Sequence, residues 1–384
     1  YQITILFYWQ FNGIIKAYYW RLNKTFMKTF KFNPQYTITA SIANNILKIE
    51  QIKEQIKNLP VTPHLMASLR ESAKLSTTHY STQIEGNRLT QEQVIDIIKN
   101  KKAIPQRKRD EKEIKGYYKA IHYVEKLASK KSQISEAEIK KIHALVESEN
   151  NTDYRSGQNV IKDSLTGEIV YMPPEAKNVP ELMKDFIYWL NNDKETPILI
   201  KAAIAHYQYV TIHPYYDGNG RSARLLTTLV LHKNGYDLKG IYSLEEYYAR
   251  DLKGYYDAIT IGPSHNYYLG RAEADITKWI EYFIKGVKES FENVYKKAQK
   301  ESGTKDLTPI LRELDVKQRK ILQLFETQKT ITSNDIAEFF NFAPRTARKL
   351  AQDWVEEGFL IMTNHSKKAR KYQLSDELEK KLYN

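Results

Sequence analysis

The sequence predicts a mainly α-helical protein in two unequal units: a long helical bundle carrying one β-hairpin, then a small winged helix-turn-helix domain. Three observations predict it. Apolar residues recur at helical spacing through most of residues 32–295. One pair of short β-rich runs interrupts that rhythm, residues 159–161 and 169–171 around a turn-rich 163–167. Beyond a charged, apolar-poor linker at 296–309, three helical runs precede two strand-like runs, which is the order of a winged helix.

Length and composition set the bounds. A chain of 384 residues is too long for one small core, and 41% hydrophobic with 27% charged residues reads as globular. The formal net charge of +13 favours polyanionic partners such as nucleotides or nucleic acid, though a basic solvated surface explains it equally well. No cysteine is present, which excludes disulfides, thiolate catalysis and cysteine-based metal sites. With no cleavable secretory signal in view, the expected setting is the cytoplasm.

Residues 1–31 form an extension of uncertain status. Its aromatic and aliphatic run is broken by Gln10, Asn12, Gly13 and Lys16 well short of the ~20 apolar residues a membrane span needs. The expectation is a functional protein opening at Met27, with an interfacial anchor as the alternative. Residues 32–130 form the N-terminal helical region. Its second helix runs from about Pro63 to Ile84 and stops at Gly86, which leaves Glu85 in the last turn, where the helix dipole disfavours an anion by ~0.3–1 kcal/mol. Helices follow at 90–100 and 109–130, the basic run between them reading as exposed loop. Residues 131–295 form the core unit. Ser135 with Glu138 opens it in capping-box spacing, the hairpin follows, and helices are expected at 179–190, at 198–212 with Thr196 as N-cap, at 221–233, at 244–259 and at 272–295.

Chemistry is concentrated in the segment His213-Pro214-Tyr215-Tyr216-Asp217-Gly218-Asn219-Gly220-Arg221-Ser222-Ala223-Arg224. Pro214 disfavours helical geometry at His213, so the preceding helix ends there and presents an imidazole at a helix–loop junction. Gly218 and Gly220 let the backbone turn tightly before a helix start, a ready anion site. Arg221 and Arg224, three apart, can reach one anion. Asp217 beside a phosphate calls for a divalent cation, and Mg²⁺ takes one or two carboxylates plus substrate phosphates. His213, ordinarily titrating near ~6.5, suits a general base. Residue types alone thus read as a nucleotide-phosphate site with a base alongside, and no Walker-type Gly-Lys-Ser/Thr follows. The bland alternative is a Gly-rich connector whose arginines pair with nearby carboxylates.

The segment resembles the signature of the Fic family, HxFx(D/E)GNGRxxR, at every defining position but the third, where Tyr215 stands for Phe. The resemblance spans about residues 32–287 and includes the hairpin and Tyr171-Met172-Pro173-Pro174. It implies a Fic-type helical bundle with the hairpin as a flap that aligns a target by strand addition. It also implies transfer of AMP from ATP to a Tyr, Thr or Ser hydroxyl of a protein, with His213 as base and Asp217 as the Mg²⁺ carboxylate. Gly218, Asn219, Gly220, Arg221, Ser222 and Arg224 would form the ATP site, Arg224 meeting the γ-phosphate and Tyr256 the adenine. Ser81-Thr82-Gln83-Ile84-Glu85-Gly86-Asn87 resembles the family's inhibitory helix, (S/T)xxxE(G/N), within the helix at about 63–86. Its glutamate would compete with ATP for Arg224, and in some relatives it also supports removal of AMP.

Residues 310–384 form the winged helix-turn-helix domain. Arg345, Thr346, Arg348 and Lys349 lie on its third helix and Lys368 and Arg370 in its wing, the electrostatic footprint of a DNA reader, while such domains also serve as docking modules. The rival reading is therefore a DNA-binding transcriptional regulator whose first unit is a sensor or self-modifying switch. The partners these readings carry are ATP, a protein substrate that includes the chain itself, DNA or protein at the C-terminal domain, and a second copy in a homodimer, with no membrane.

Overall fold

The computed structural model describes residues 32–59, 63–150, 152–162, 166–262, 264–301, 308–325, 328–364 and 370–383. The expected extension at 1–31 and Lys368 of the expected wing lie outside them.

Helix α1 (Ala40–Lys57) starts at Thr39, whose hydroxyl accepts from the Ile42 N–H, and turns Ile42, Ile49, Ile52 and Ile56 inward. Helix α2 (Pro63–Ile84) stops where Gly86 takes a φ of 91°, a left-handed conformation that glycine adopts without steric cost. Helix α3 (Gln91–Ile98) and helix α5 (Glu136–Val146) each open with a reciprocal capping box, Thr90 with Gln93 and Ser135 with Glu138. Between them α4 (Lys108–Ala128) follows the exposed basic loop. It meets the end of α5 at Gly116, where a Cβ would lie 2.5 Å from Ser148 Oγ and 2.7 Å from the Leu145 carbonyl. Only glycine permits that approach.

The hairpin pairs β1 (Ile161–Lys162) with β2 (Ile169–Tyr171), Ile161 lying opposite Tyr171. Strands this short hold no register by themselves. The Tyr171 hydroxyl ties the hairpin to the body by donating to the Thr211 carbonyl at 2.6 Å. Helix α6 (Val179–Asn192) leads to α7 (Ile198–Ile212), which is buried on nearly every side, its polar Lys201, His206, Gln208 and Thr211 included. Thr196 does not cap α7: Pro197 holds that position, and Asp193 instead accepts from the Thr196 N–H and pairs with Lys201 at 3.0 Å.

Helix α8 (Asn219–Lys233) packs along α7. It begins two residues earlier than expected, because Gly218 at a φ of 73° serves as its N-cap. The single run expected at 244–259 is two helices, α9 (Glu245–Arg250) and α10 (Leu252–Ile259), broken at Asp251, whose carboxylate accepts from the Gly254 N–H at 2.9 Å. Helix α11 (Thr277–Glu301) starts late because residues 267–271 form a wide turn through Gly270. It then takes in residues 296–301 of the expected linker, with Ala298 buried against the bundle.

The C-terminal residues contain α12 (Thr308–Glu313), α13 (Val316–Phe325), α14 (Ser333–Phe340), α15 (Pro344–Glu356), β3 (Leu360–Asn364), β4 (Lys371–Leu374) and α16 (Asp376–Tyr383). Ile321, Ile336, Trp354, Leu360 and Tyr372 anchor a second core, separate from that of the bundle. Strands β3 and β4 are antiparallel, and Ile331 bridges to Tyr372 beside them. Among the described residues no helix is long and apolar enough to cross a membrane.

Candidate active site

The buried α7 sets the position of His213. This residue is the C-cap of α7, at φ 51° and ψ 61°, a left-handed conformation rare for a residue with a side chain. Pro214 explains why the helix stops; neighbouring groups explain how the unusual backbone is held. Arg155, itself buried, donates from Nε to the His213 carbonyl at 2.9 Å and from its backbone N–H to the Pro214 carbonyl at 2.9 Å. Its guanidinium also binds the Pro174 carbonyl at the base of the hairpin. One side chain thus joins the turn to the flap. His213 Nδ1 lies 3.3 Å from the Val210 carbonyl, which can only accept, so Nδ1 carries the proton and Nε2 keeps a lone pair. Burial, with the Arg155 charge adding to it, pushes the imidazole down to about 4. At neutral pH it is uncharged.

The loop after His213 is held from within. Asn219, buried, accepts from the Tyr215 N–H at 3.0 Å and donates to the Tyr215 carbonyl at 2.8 Å. Its side chain is therefore spent on the loop, and its backbone N–H remains for a ligand. The first N–H groups of α8 have no partner within the helix. Ser222 turns into the body, its N–H donated to the Gly218 carbonyl at 2.9 Å and its side chain buried. Gly218 supplies the left-handed turn. Gly220, which is helical, supplies clearance instead, since a Cβ there would collide with Glu85 Oε1.

The charged groups pair in two sets. Asp217 has 64% of its side chain exposed, and its Oδ1 accepts from the Gly218 N–H at 2.6 Å and from Arg221 Nη2 at 3.1 Å. Burial would raise its carboxyl, but Arg221 and the Gly218 N–H outweigh that and hold it below the usual carboxylate range. The same Arg221 nitrogen lies 3.1 Å from Glu147 Oε1. Arg224 is almost fully buried. Its Nε donates to Ser81 Oγ at 2.8 Å, and its Nη2 donates to the Ser81 carbonyl at 2.8 Å and to Glu85 Oε1 at 2.9 Å. Arg224 Nη1 is buried with no hydrogen-bond partner. Glu85 sits one residue beyond α2, a third exposed, with Gly220 packed beside it. Burial works against the Arg224 charge, but the Glu85 carboxylate outweighs it and raises the guanidinium above its ordinary range.

His213, Asp217, Gly218, Asn219, Gly220, Arg221, Arg224 and Glu85 thus converge on the start of α8. Tyr256 lies in α10 with its ring half-exposed, and its hydroxyl is raised to about 12 by burial and by the nearby Glu85. In the C-terminal unit, Arg345, Thr346, Arg348 and Lys349 are exposed on α15, and Arg370 is half-buried. His143, Glu147 and Arg155 are drawn into the site as well. Their sequence signal is slight: a histidine and a glutamate one turn apart at the end of an amphipathic helix, and an arginine in a turn-rich stretch.

Tyr215 occupies the position of the signature's Phe. Its ring stacks on His143 with centroids 3.5 Å apart, and its hydroxyl is buried beside Thr152 without a partner of good geometry.

Residues 133–231 match the family model described as the Fic/DOC family. Among curated proteins, the chain is 28% identical over 287 residues to protein adenylyltransferase fic-1 of Caenorhabditis elegans, covering 71% of this chain and 52% of that protein. It is 30% identical over 197 residues to protein adenylyltransferase Fic of Nematostella vectensis, covering 49% and 44%. The chain therefore spans about half the length of the curated relatives it matches. Among solved structures, a Fic family protein from Desulfovibrio desulfuricans superposes with a TM-score of 0.58 at 25% identity, covering 90% of this chain and 99% of that one. Fic-1 of C. elegans superposes with a TM-score of 0.56 at 22% identity, covering 69% and 75%, a likeness of fold.

A buried hydroxyl without a partner costs ~1–3 kcal/mol. Tyr215→Phe keeps the stacked ring and removes that cost, so thermal melting should show a variant at least as stable as the parent. A lower melting temperature would mean that the hydroxyl has a partner in solution.

Proposed function

We propose that this chain, which carries a Fic/DOC-family domain over residues 133–231, is a protein adenylyltransferase held in a resting state by its own Glu85. The observation that carries the reading is the Glu85–Arg224 pair, in which a helix end from far upstream sits on the last arginine of the nucleotide motif. In the reaction proposed, the hydroxyl oxygen of a protein Tyr, Thr or Ser attacks the α-phosphorus of ATP. The bond to pyrophosphate breaks, and the hydroxyl proton passes to His213 Nε2. The neutral imidazole with its proton on Nδ1 supports that role. The N–H groups opening α8 and the two arginines supply the positive field that phosphoryl transfer needs, and such preorganised donors provide most of the acceleration in this chemistry.

Mg²⁺ fits the residues present. Asp217 offers an ionised, exposed carboxylate, a hard oxygen donor. Among the described residues no cluster of three or more acidic or histidine side chains could hold an ion, so the coordination sphere would be completed by phosphate oxygens and water. Bound there, the ion would neutralise charge on the phosphates.

Autoinhibition follows from the charge balance of Arg224. Arg224 is almost fully buried while Glu85 has a third of its side chain in solvent, so the cost of breaking the pair falls on the guanidinium, left desolvated without a counter-charge. Arg224 therefore requires an anion in either state, and Glu85 or the γ-phosphate can fill that need but not both. The placement of Glu85 is also compatible with hydrolytic removal of AMP, in which water attacks the phosphorus, the bond to the target's hydroxyl oxygen breaks and that oxygen takes up a proton as AMP leaves.

A second reading concerns the C-terminal unit. Its helix order and the exposed Arg345, Arg348 and Lys349 on α15 support a winged helix that meets DNA, with the bundle as a switch. A gel shift with random duplex at low salt, lost as salt rises, would support it, and no shift at low salt would exclude it.

Incubation with ATP labelled at the α-phosphate tests the main reading. Glu85→Gly should raise self-labelling by at least ~10-fold over the parent, since the inhibitory anion no longer competes for a charge-assisted contact. His213→Ala in the same background should abolish labelling. Because the competent base is the neutral imidazole and its proton affinity is depressed, the rate should stay flat from pH 8 down to 6 and fall only as pH approaches about 4. Equal labelling of parent and Glu85→Gly would remove the inhibitory assignment, and an acidic limb near the ordinary histidine value of ~6.5 would contradict the depressed proton affinity of His213.

A further inference from the structure

We propose that His143 and Glu147, one turn apart at the end of α5, are positioning residues that set the Asp217–Arg221 loop for the phosphates of a bound nucleotide. The identity of that ligand rests on the adenylyltransferase reading; the bracing itself rests on geometry outside the motif.

His143 is buried and makes three distinct contacts. Its ring lies nearly parallel to that of Tyr215, with an interplanar angle of 6°. Its Nε2 is 2.9 Å from the Asp217 carbonyl, and a carbonyl only accepts, so Nε2 bears the proton. Nδ1 then accepts from Thr152 Oγ1 at 2.9 Å. The result is a directed chain from Thr152 through His143 to the Asp217 carbonyl. That carbonyl belongs to the same rigid peptide unit as the Gly218 N–H, which donates to Asp217 Oδ1 at 2.6 Å. Fixing the carbonyl therefore fixes the N–H that aims the carboxylate. The backbone of Asp217 is pinned from inside while its side chain stays open to ligand.

Glu147 acts on the other member of the pair. Its Oε1 and Asp217 Oδ1 each lie 3.1 Å from Arg221 Nη2: Asp217 accepts a hydrogen bond from that nitrogen, while Glu147 Oε1, buried and outside hydrogen-bond geometry, meets it as an ion pair. When Asp217 turns towards a cation or rearranges around phosphate, Glu147 keeps Arg221 in place. The loop also packs directly on both residues. A Cβ on Gly218 would lie 2.5 Å from Glu147 Oε1 and 3.1 Å from His143 Nε2, which gives this glycine a packing requirement beyond its left-handed turn.

If the two were only core residues, apolar or neutral replacements would change stability and nothing else. The test uses the full chain with Glu85→Gly as parent, adding His143→Phe, His143→Gln or Glu147→Gln. It measures kcat and KM for ATP with Mg²⁺ by α-phosphate label transfer, Kd for ADP with Mg²⁺ by calorimetry, and the melting temperature. His143→Phe keeps the stacked ring and loses the donor, so kcat should fall about 10-fold, while His143→Gln, which keeps an N–H donor, should recover to within ~3-fold of the parent. Glu147→Gln leaves Arg221 to Asp217 alone, so KM and the ADP Kd should rise ~5- to 10-fold with kcat little changed. Unchanged kcat, KM and Kd in all three variants, whatever their melting temperatures, would overturn the proposal, as would failure of His143→Gln to recover activity in a folded protein. A parent that transfers no label while ADP binding still weakens in Glu147→Gln would sink the adenylyltransferase reading and keep the positioning role. A parent that binds no ADP would overturn both.

Discussion

A guanidinium buried to the degree of Arg224 is a demanding group. It cannot shed its proton, its desolvation is severe, and its planar fork must be met by acceptors or by an anion. Ser81 meets part of the requirement with its hydroxyl and carbonyl, and Glu85 meets the charge. Much of the architecture serves this one need. The left-handed Gly86 ends α2 just past Glu85, and Gly220 lacks the Cβ that would block the carboxylate. An anion site satisfied from within the chain is one that an external phosphate can enter only by displacement, so on the proposed function the contact that stabilises the fold would also regulate the site.

A second constraint is the turn between α7 and α8, residues 213–218, where His213 and Gly218 both hold left-handed backbone with Pro214, Tyr215, Tyr216 and Asp217 between them. Three separate supports act on it. Arg155 holds the carbonyls of His213 and Pro214, Asn219 brackets Tyr215 from both sides, and His143 holds the Asp217 carbonyl. Each support is buried, where a hydrogen bond is costly to leave unmade. Strain at His213 is thus over-determined by its surroundings, the condition under which such conformations persist at functional sites. The hairpin shares this frame through Arg155, which links the Pro174 carbonyl to the turn.

Where function depended on local pattern, the sequence was informative. Period and capping residues placed α2 to α6 to within about two residues, because Thr90 and Ser135 act within one turn of themselves. The motif named the residues that now converge on α8. What it did not disclose has a common cause, namely partners distant in sequence. Gly220 reads as a turn glycine until Glu85 is seen against it. Asn219 reads as a ligand until Tyr215 is seen to occupy its side chain. Pro214 announces the end of α7, yet the left-handed His213 depends on Arg155. His143 and Glu147 look like ordinary helix residues because nothing near them in sequence requires them. The break at Asp251 and the continuation of α11 to Glu301 were missed for two different reasons: Asp251 caps α10 locally by accepting from the Gly254 N–H, a signal that the apolar period masks, whereas α11 continues because Ala298 packs against the bundle, a contact that overrides weak local preference.

The central claim, that Glu85 and a γ-phosphate compete for Arg224, is tested most directly by the ratio of ATP to ADP affinity, measured by calorimetry with Mg²⁺ on the parent and on Glu85→Gly. If Arg224 is committed to Glu85, the parent should bind the two nucleotides within ~2-fold of each other, while Glu85→Gly should favour ATP by ~10-fold or more, the worth of one charge-assisted contact. The same ratio in both proteins would contradict the claim.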